Sequence, residues 1–307
     1  MDLASIARAL PNGRVSSGGV SFAAPGHSRT DNSGRVLPSP NLPHGIWVTS
    51  LAGDDEMALR DYVLDQLRLP RENRDERRAR TSAPLAPRDE APPRTADPAE
   101  SERRVRALEI FREARALWDS PAEAYLVRER RLVPFEGLGW SLRFHPECPF
   151  GTHRTPAMVA LVRDVRTNQP RAIHRTALTL DGRKAAIGGN DRLTLGPVSG
   201  GAIKLTPDED VTLCLGIGEG IESALSLRLL PEFGASPVWS LISANGIARL
   251  PVLAGIECLW IAVDRDEAGL KASQTAAARW TDRETILVSP RSNGADLNDL
   301  FKGRADA

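Results

Sequence analysis

Between residues 211 and 301 the chain alternates strand and helix patterns, and this alternation restricts the possible folds more than any other feature. Residues 211–218, VTLCLGIG, form an apolar strand pattern, and 220–230, GIESALSLRLL, a helix pattern. Two strand patterns follow, VWSLIS at 238–243 and IECLWIAVD at 256–264. A helix pattern at 267–280, a strand at 285–290 and a terminal helix, DLNDLF, at 296–301 complete the run. Such alternation implies βαβ units, a mostly parallel sheet and right-handed crossovers. In an open α/β sheet, ligands bind beyond the carboxyl ends of the strands.

Three carboxylates fall at that end. Glu219 follows the first strand pattern, and Asp264 and Asp266 follow the third, 45 residues further on from Glu219 to Asp264. Mg²⁺ takes hard oxygen ligands, usually one or two carboxylates with water and substrate phosphate. Asp264 and Asp266 flank one residue in a turn, where both can converge on one ion. Glu219 is a further ligand or a proton acceptor for an attacking hydroxyl. The group reads as a divalent-metal centre for phosphate chemistry. The competing reading makes Asp266 the N-cap of the helix beginning at Glu267, with a solvated neighbour. Glu219 sits between Gly218 and Gly220, and Glu is a poor N-cap.

Other nucleotide sites fit less well. Gly216, Gly218 and Gly220 imitate GxGxxG, but the third glycine comes one residue early, and an acid in that turn would repel a pyrophosphate. No GxxxxGK[ST] occurs, which excludes a P-loop motor in this chain.

Upstream, residues 1–70 hold a short helix, a Gly/Ser-punctuated hairpin region, a strand at GIWVTS and an amphipathic helix marked by Leu59, Tyr62, Val63 and Leu67. Residues 71–102 are rich in Pro, Ala and mixed charge, and read as a disordered linker; the alternative is a DNA-contacting tether through RRAR. Residues 103–206 form an α+β block. Its first helix pattern places Ala107, Phe111, Ala114 and Trp118 on one face. Ser120, Pro121 and Glu123 start a second helix, and four β patterns follow.

Composition narrows the classes. In 307 residues, 40 Lys and Arg balance 40 Asp and Glu, so no global basic field announces a nucleic-acid binder. Cys148, Cys214 and Cys258 are scattered with no CxxC pair, against a disulfide framework or a Cys-rich zinc site. No stretch approaches the roughly 20 apolar residues that span a bilayer, and the first residues lack a signal-peptide order, so a cytoplasmic protein with no membrane partner is expected.

These residues carry a family resemblance. GEGIESALS at 218–226 resembles the EG motif of Toprim domains, VDRDEAG at 263–269 resembles their DxDxAG motif, and ADLNDL at 295–300 resembles the close of the primase-like branch. The resemblance implies a Toprim domain over 207–307, a Rossmann-like, mostly parallel four-stranded sheet with flanking helices. It implies Glu219 as base or acid, and Asp264 and Asp266 as Mg²⁺ (or Mn²⁺) ligands. Asp296 is implied as an outer ligand, so the metal set is Glu219, Asp264, Asp266 and Asp296. The position four after Glu219 is Ser223, where some primases carry an extra acid. The α+β block resembles the region before Toprim in primase-like proteins of plasmids, phages and integrated elements. His174, Arg175, Lys184 and Lys204 are then expected to face nucleotide or template, and Lys271 to bind nucleic acid or nucleotide; the alternative for the first four is a solvated sheet face. Arg175 is preferred because Arg matches phosphate geometry. The first block resembles a primase zinc ribbon that keeps His27 and no cysteine, so no zinc is expected. His27 and His44 alone supply too few ligands.

The resemblance implies a primase-type nucleotidyl transferase acting on single-stranded DNA with nucleoside triphosphates in replication, as of a mobile element, and working with a separate replicative helicase. Phosphodiester cleavage is a second enzymatic reading. A non-catalytic nucleic-acid-binding module of RecR type is the reading from another class. A topoisomerase needs a covalent Tyr, and Tyr62 and Tyr125 both lie in patterns that suggest packing.

Overall fold

Two sheets carry the fold. The computed structural model describes residues 2–16, 19–38, 43–52, 54, 56–71 and 97–302. Most of the expected linker, residues 72–96, lies outside the described residues.

The first sheet is an antiparallel meander in chain order: β1 (Arg14–Ser16), β2 (Gly19–Phe22), β3 (Gly34–Pro38) and β4 (Ile46–Ser50). Strand alternation gives it two apolar faces. Val20, Phe22, Val36, Ile46 and Val48 pack on α1 (Leu3–Ala9) and α2 (Glu56–Gln66), whose Ile6, Leu59, Val63 and Leu64 are buried there. Leu37 and Trp47 point the other way, into the central core of the molecule. Trp47 lies 5.7 Å, centroid to centroid, from Trp260, which lies 5.4 Å from Phe233. Arg60 of α2 makes a buried ion pair with Glu257, and Arg35 reaches Glu232 at 3.9 Å. The meander is therefore fixed between its own helices and the C-terminal block.

The helix expected from Arg103 begins earlier, at Pro98, with Asp97 as its N-cap. This α3 (Pro98–Glu113) also ends earlier than its apolar pattern. Arg115 exchanges backbone hydrogen bonds with Phe144, and this draws the chain into a sheet contact. Trp118 consequently leaves the helix face and packs on the central core. The Ser120 cap is present, accepting from the backbone N–H groups of Ala122 and Glu123 at the start of α4 (Pro121–Ala124). The chain continues through a π turn over Tyr125–Glu129.

The second sheet has nine strands. β5 (Leu142–Phe150), β6 (His153–Asp164), β7 (Pro170–Ala177), β8 (Arg192–Leu195) and β9 (Gly201–Lys204) are antiparallel. β10 (Cys214–Gly218), β11 (Val238–Ser240), β12 (Cys258–Ala262) and β13 (Glu284–Val288) are parallel, in the order β13-β12-β10-β11. These four strands and their crossovers α5 (Ile221–Leu227), α6 (Ala244–Arg249) and α7 (Glu267–Arg279) form the expected parallel unit, closed by α8 (Asp299–Lys302). Helix α6 was not anticipated; Ser243 caps it by accepting from the Gly246 N–H.

The two blocks share this sheet. β9 pairs with β6 on one side and antiparallel with β11 on the other. The faces also divide cleanly. Ala157, Val159, Leu161 and Ile173 meet α3, whereas Met158, Ala160, Val162 and Ala172 belong to the central core with Tyr125 and Leu126. No helix among the described residues is long and apolar enough to cross a membrane.

Candidate active site

Glu219 occupies the turn between β10 and α5. The turn is tight because Gly218 lets the helix start press on the strand end; a Cβ there would stand 2.7 Å from the Ala224 nitrogen. The loop after β11 fixes Glu219 from the side. Its carbonyl accepts from Ser240 Oγ at 2.8 Å and from the Ile242 N–H at 2.9 Å. The Ala244 backbone N–H acts to lower its carboxyl. Burial, and then the charge of Asp266, push the Glu219 carboxyl above its ordinary range, while Arg192 opposes that shift.

Asp264 follows β12, the neighbour of β10. Its Oδ1 accepts from Ser223 Oγ at 3.1 Å, which ties it to the start of α5. Burial raises its carboxyl to about 7, and the charges of Glu219, Asp296 and Asp266 add to that. The Ser223 hydrogen bond works in the opposite direction. Asp264 is thus within electrostatic reach of the other three acids singled out from sequence. Asp266 caps α7, accepting from the Gly269 N–H at 2.7 Å, as the competing reading had it. Gly269 is required there because a Cβ would stand 2.3 Å from the Asp264 carbonyl oxygen. Asp296 and Asp299 cap each other across the last turn, at 2.9 and 3.0 Å.

Among the described residues, no group of three or more His, Cys, Asp or Glu side chains is closed to ligating distance. The donor chemistry nevertheless fits a hard divalent cation. The donors are carboxylate oxygens, and their mutual repulsion is the kind that such a cation relieves. Asp264, with Glu219, Asp266 and Asp296, could hold such a cation.

Below the acids lies a network that joins the two blocks. Glu222, on α5, is buried and accepts from the Tyr125 hydroxyl and from Arg192 Nη2, the latter at 3.0 Å. Burial alone would raise the Glu222 carboxyl, yet Arg192, Tyr125 and Arg130 hold it at about 2. Arg130 Nε donates to the Tyr125 oxygen at 2.8 Å. Asn298 Nδ2 donates to the Arg130 carbonyl at 2.8 Å and to Ser226 Oγ at 3.2 Å. Sequence reasoning missed Glu222, Tyr125, Arg130, Arg192 and Asn298 as a set. The available signal was a Glu within the small, apolar helix GIESALSL.

The expected nucleotide-facing residues separate. On β7, His174 pairs across with Thr194, Arg175 with Leu193 and Thr176 with Arg192. His174 and Arg192 therefore share one face, and Arg175 has the other. His174 lies beside the Glu222 network, where burial and then Arg192 depress its imidazole to about 4. Arg175 does not face a nucleotide: it is buried over Phe150 and donates to the carbonyls of Pro149 and Thr194. Lys204 is also withdrawn, fully buried with Nζ on Asp208 at 2.6 Å and 4.6 Å from the Trp239 ring centre. Lys184 pairs with Asp191, and its backbone N–H donates to Glu129 at 2.8 Å. Lys271 is exposed on α7.

In the first block the two histidines are apart in role. His27 Nε2 stands 2.8 Å from Asp54 and Nδ1 stands 3.4 Å from Asp31. His44 contacts the Pro70 carbonyl at 3.1 Å.

Residues 214–306 match the family model of the Toprim domain. The C-terminal block is a Toprim domain. Residues 101–205, which hold the antiparallel half of the shared sheet, match the model of a domain of unknown function, DUF7146. No curated protein matches the chain. Among solved structures, the chain is similar to the primase fragment of the bacteriophage T7 primase-helicase protein, with a TM-score of 0.39 and 16% identity over 53% of this chain and 62% of that one. It is similar to the Aquifex aeolicus primase zinc-binding and RNA polymerase domains, at 0.41 and 13% over 98% and 80%. A Pseudomonas aeruginosa DNA primase domain gives 0.33 and 14% over 62% and 58%. The chain thus spans less than two thirds of the T7 and Pseudomonas chains, and likeness at this level assigns no activity.

Proposed function

We propose that this chain is a primase-type nucleotidyl transferase dependent on Mg²⁺ or Mn²⁺. It makes or extends a short primer on single-stranded DNA from nucleoside triphosphates. The observation that carries the reading is the placement of Glu219 and Asp264 at the carboxyl ends of two adjacent parallel strands of a Toprim domain, where the charge of Glu219 adds to the raised Asp264 carboxyl. Asp264 and Asp266 are the metal-holding pair, with Asp296 outside them. The metal supplies neutralisation of phosphate charge. Glu219, with its carboxyl raised, takes the proton from the attacking hydroxyl.

The α+β block supports a polyanion partner. Residues 103–206 hold 18 Lys and Arg against 10 Asp and Glu, a surplus that the neutral whole conceals. The working partners are single-stranded DNA and a separate replicative helicase, and the site of action is the cytoplasm.

The test is incorporation of labelled nucleotides on single-stranded DNA with Mg²⁺ or Mn²⁺. New primer supports the reading. Degraded template without incorporation points to a nuclease. Binding with neither outcome points to a non-catalytic module of RecR type. That second reading draws on one observation, the use of Asp266 as a helix cap.

A further inference from the structure

We propose that Arg192 is the phosphate-contacting cation of this site, and that buried Glu222 is the residue that positions it. The inference rests on the reading of the Toprim end as a place of phosphate chemistry.

Arg192 opens β8, the edge strand of the large sheet, and belongs to the antiparallel block. Its partner Glu222 belongs to the Toprim block. The two side chains are unequal in exposure: 37% for Arg192 and 4% for Glu222. The carboxylate is thus wholly committed to the protein, while the guanidinium has one end on it and another in solvent. A guanidinium has five N–H donors in a planar fork, and a single contact to Glu222 Oε1 at 3.0 Å accounts for one of them. Planar forks of this kind match the oxygen geometry of phosphate.

The surroundings separate a phosphate contact from a plain ion pair. Its partner Glu222 is the chain neighbour of Ser223, whose hydroxyl bonds Asp264, so Arg192 stands at the acid group. Lys184 is beside it but pairs with Asp191. Arg175 is on the opposite face of β7, and His174 stays uncharged near neutrality. Among the described residues of this face, Arg192 is therefore the half-buried cation turned toward the acids. A phosphate lying between Arg192 and a cation held by Asp264 would meet positive charge on both sides, the usual arrangement for phosphoryl groups. Glu222 is held from behind by the Tyr125 hydroxyl, which is itself held by Arg130. The anchor consequently does not swing with its partner.

This assigns Glu222 a different role from the acids above it. It is the counter-charge of an arginine from the other block and does not hold metal. The site is complete only when the two blocks are joined.

The ligand chemistry is a phosphoryl oxygen, from a triphosphate or from a phosphodiester backbone. The experiment measures binding to the full chain by calorimetry, with inorganic triphosphate in one arm and short oligothymidylate in the other. The variants are R192K, which keeps the charge and loses the fork, and R192Q/E222Q, which replaces the ion pair by two amides and leaves no buried lone charge. Circular dichroism checks that each is folded. Loss of a charge-assisted hydrogen bond weakens binding by about tenfold or more in at least one arm. An effect on triphosphate alone makes Arg192 a nucleotide contact, and an effect on oligothymidylate alone a template contact. Folded variants that bind both probes like wild type overturn the proposal, as does a wild type that binds neither. Arg192-dependent binding without nucleotide incorporation would instead sink the transferase reading and leave this one standing.

Discussion

The Ser223 hydroxyl donates a 3.1 Å hydrogen bond to Asp264 Oδ1 and so joins the first turn of α5 to the end of β12. The bond orients an acid that the rest of the site destabilises. Changing Ser223 to Ala removes the tie while leaving the fold. We expect a stability change within about 1 kcal/mol and weaker binding of Mn²⁺, measured by titration with wild type as reference. Unchanged Mn²⁺ binding would show that Ser223 does not orient Asp264.

Asp264 itself costs stability. Its carboxyl is raised to about 7 by burial and by neighbouring acids, so its charged form is disfavoured in the folded chain. Asp264→Asn is expected to raise stability without metal by about 1–2 kcal/mol, the usual sign of a site strained for function. Denaturant unfolding near neutral pH with chelator present checks this. A destabilised variant would contradict the electrostatic description.

Arg60 and Glu257 join α2 to the Toprim block in a buried pair. Removing one partner leaves a buried charge, and Arg60→Ala is expected to cost about 3–5 kcal/mol. Replacing both with apolar residues, R60M/E257L, is expected to be nearly neutral. Because Trp47 also packs on Trp260, the meander is expected to stay docked when DNA binds. Energy transfer between dyes on the meander and on the Toprim block is predicted to be the same with and without single-stranded DNA. A changed transfer would mean a mobile module.

His27 and Asp54 give the meander a pH dependence. The Asp54 hydrogen bond raises His27, so its contribution is full below the ordinary histidine value of 6.5 and fades as pH rises through the higher folded value. Asp54 is lowered by His27 and Ser50 against the opposing effect of burial. Its contribution is present above the ordinary 3.8 and fades as pH falls through the lower folded value. The pair therefore contributes most between those two ordinary values. His27→Gln is expected to flatten the decline in stability above that window, measured by unfolding across pH. An equal slope in wild type and variant would remove the pair from the account.

Much of the Toprim sheet is legible in the sequence because each β-turn-α step carries local marks. Apolar runs give the strands, and Gly218 and Gly269 mark the close approaches beside Glu219 and Asp264. The sequence leaves the long-range pairings open. Tyr125 and Glu222 are 97 positions apart, and no local pattern joins them. Arg175 and His174 illustrate a second difficulty. Strand alternation states that they oppose each other, but the inward face depends on α3 packing over one side of the sheet. Lys204 reads as an outward cation, yet Asp208, four residues on, supplies the partner that allows it to be buried. Helix α6 is short enough that its apolar period hides in a connection, and Ser243 alone marks it.

Nucleotidyl transfer is the role proposed for these acids. Its most direct test is primer synthesis on single-stranded DNA with labelled nucleotides and Mg²⁺ or Mn²⁺, comparing wild type with Asp264→Asn and Glu219→Gln. Primer is expected from wild type, with a loss of about a hundredfold or more in each variant, the scale of removing a general base or a metal contact. Primer made equally by all three, or by none of them while single-stranded DNA is still bound, would contradict it.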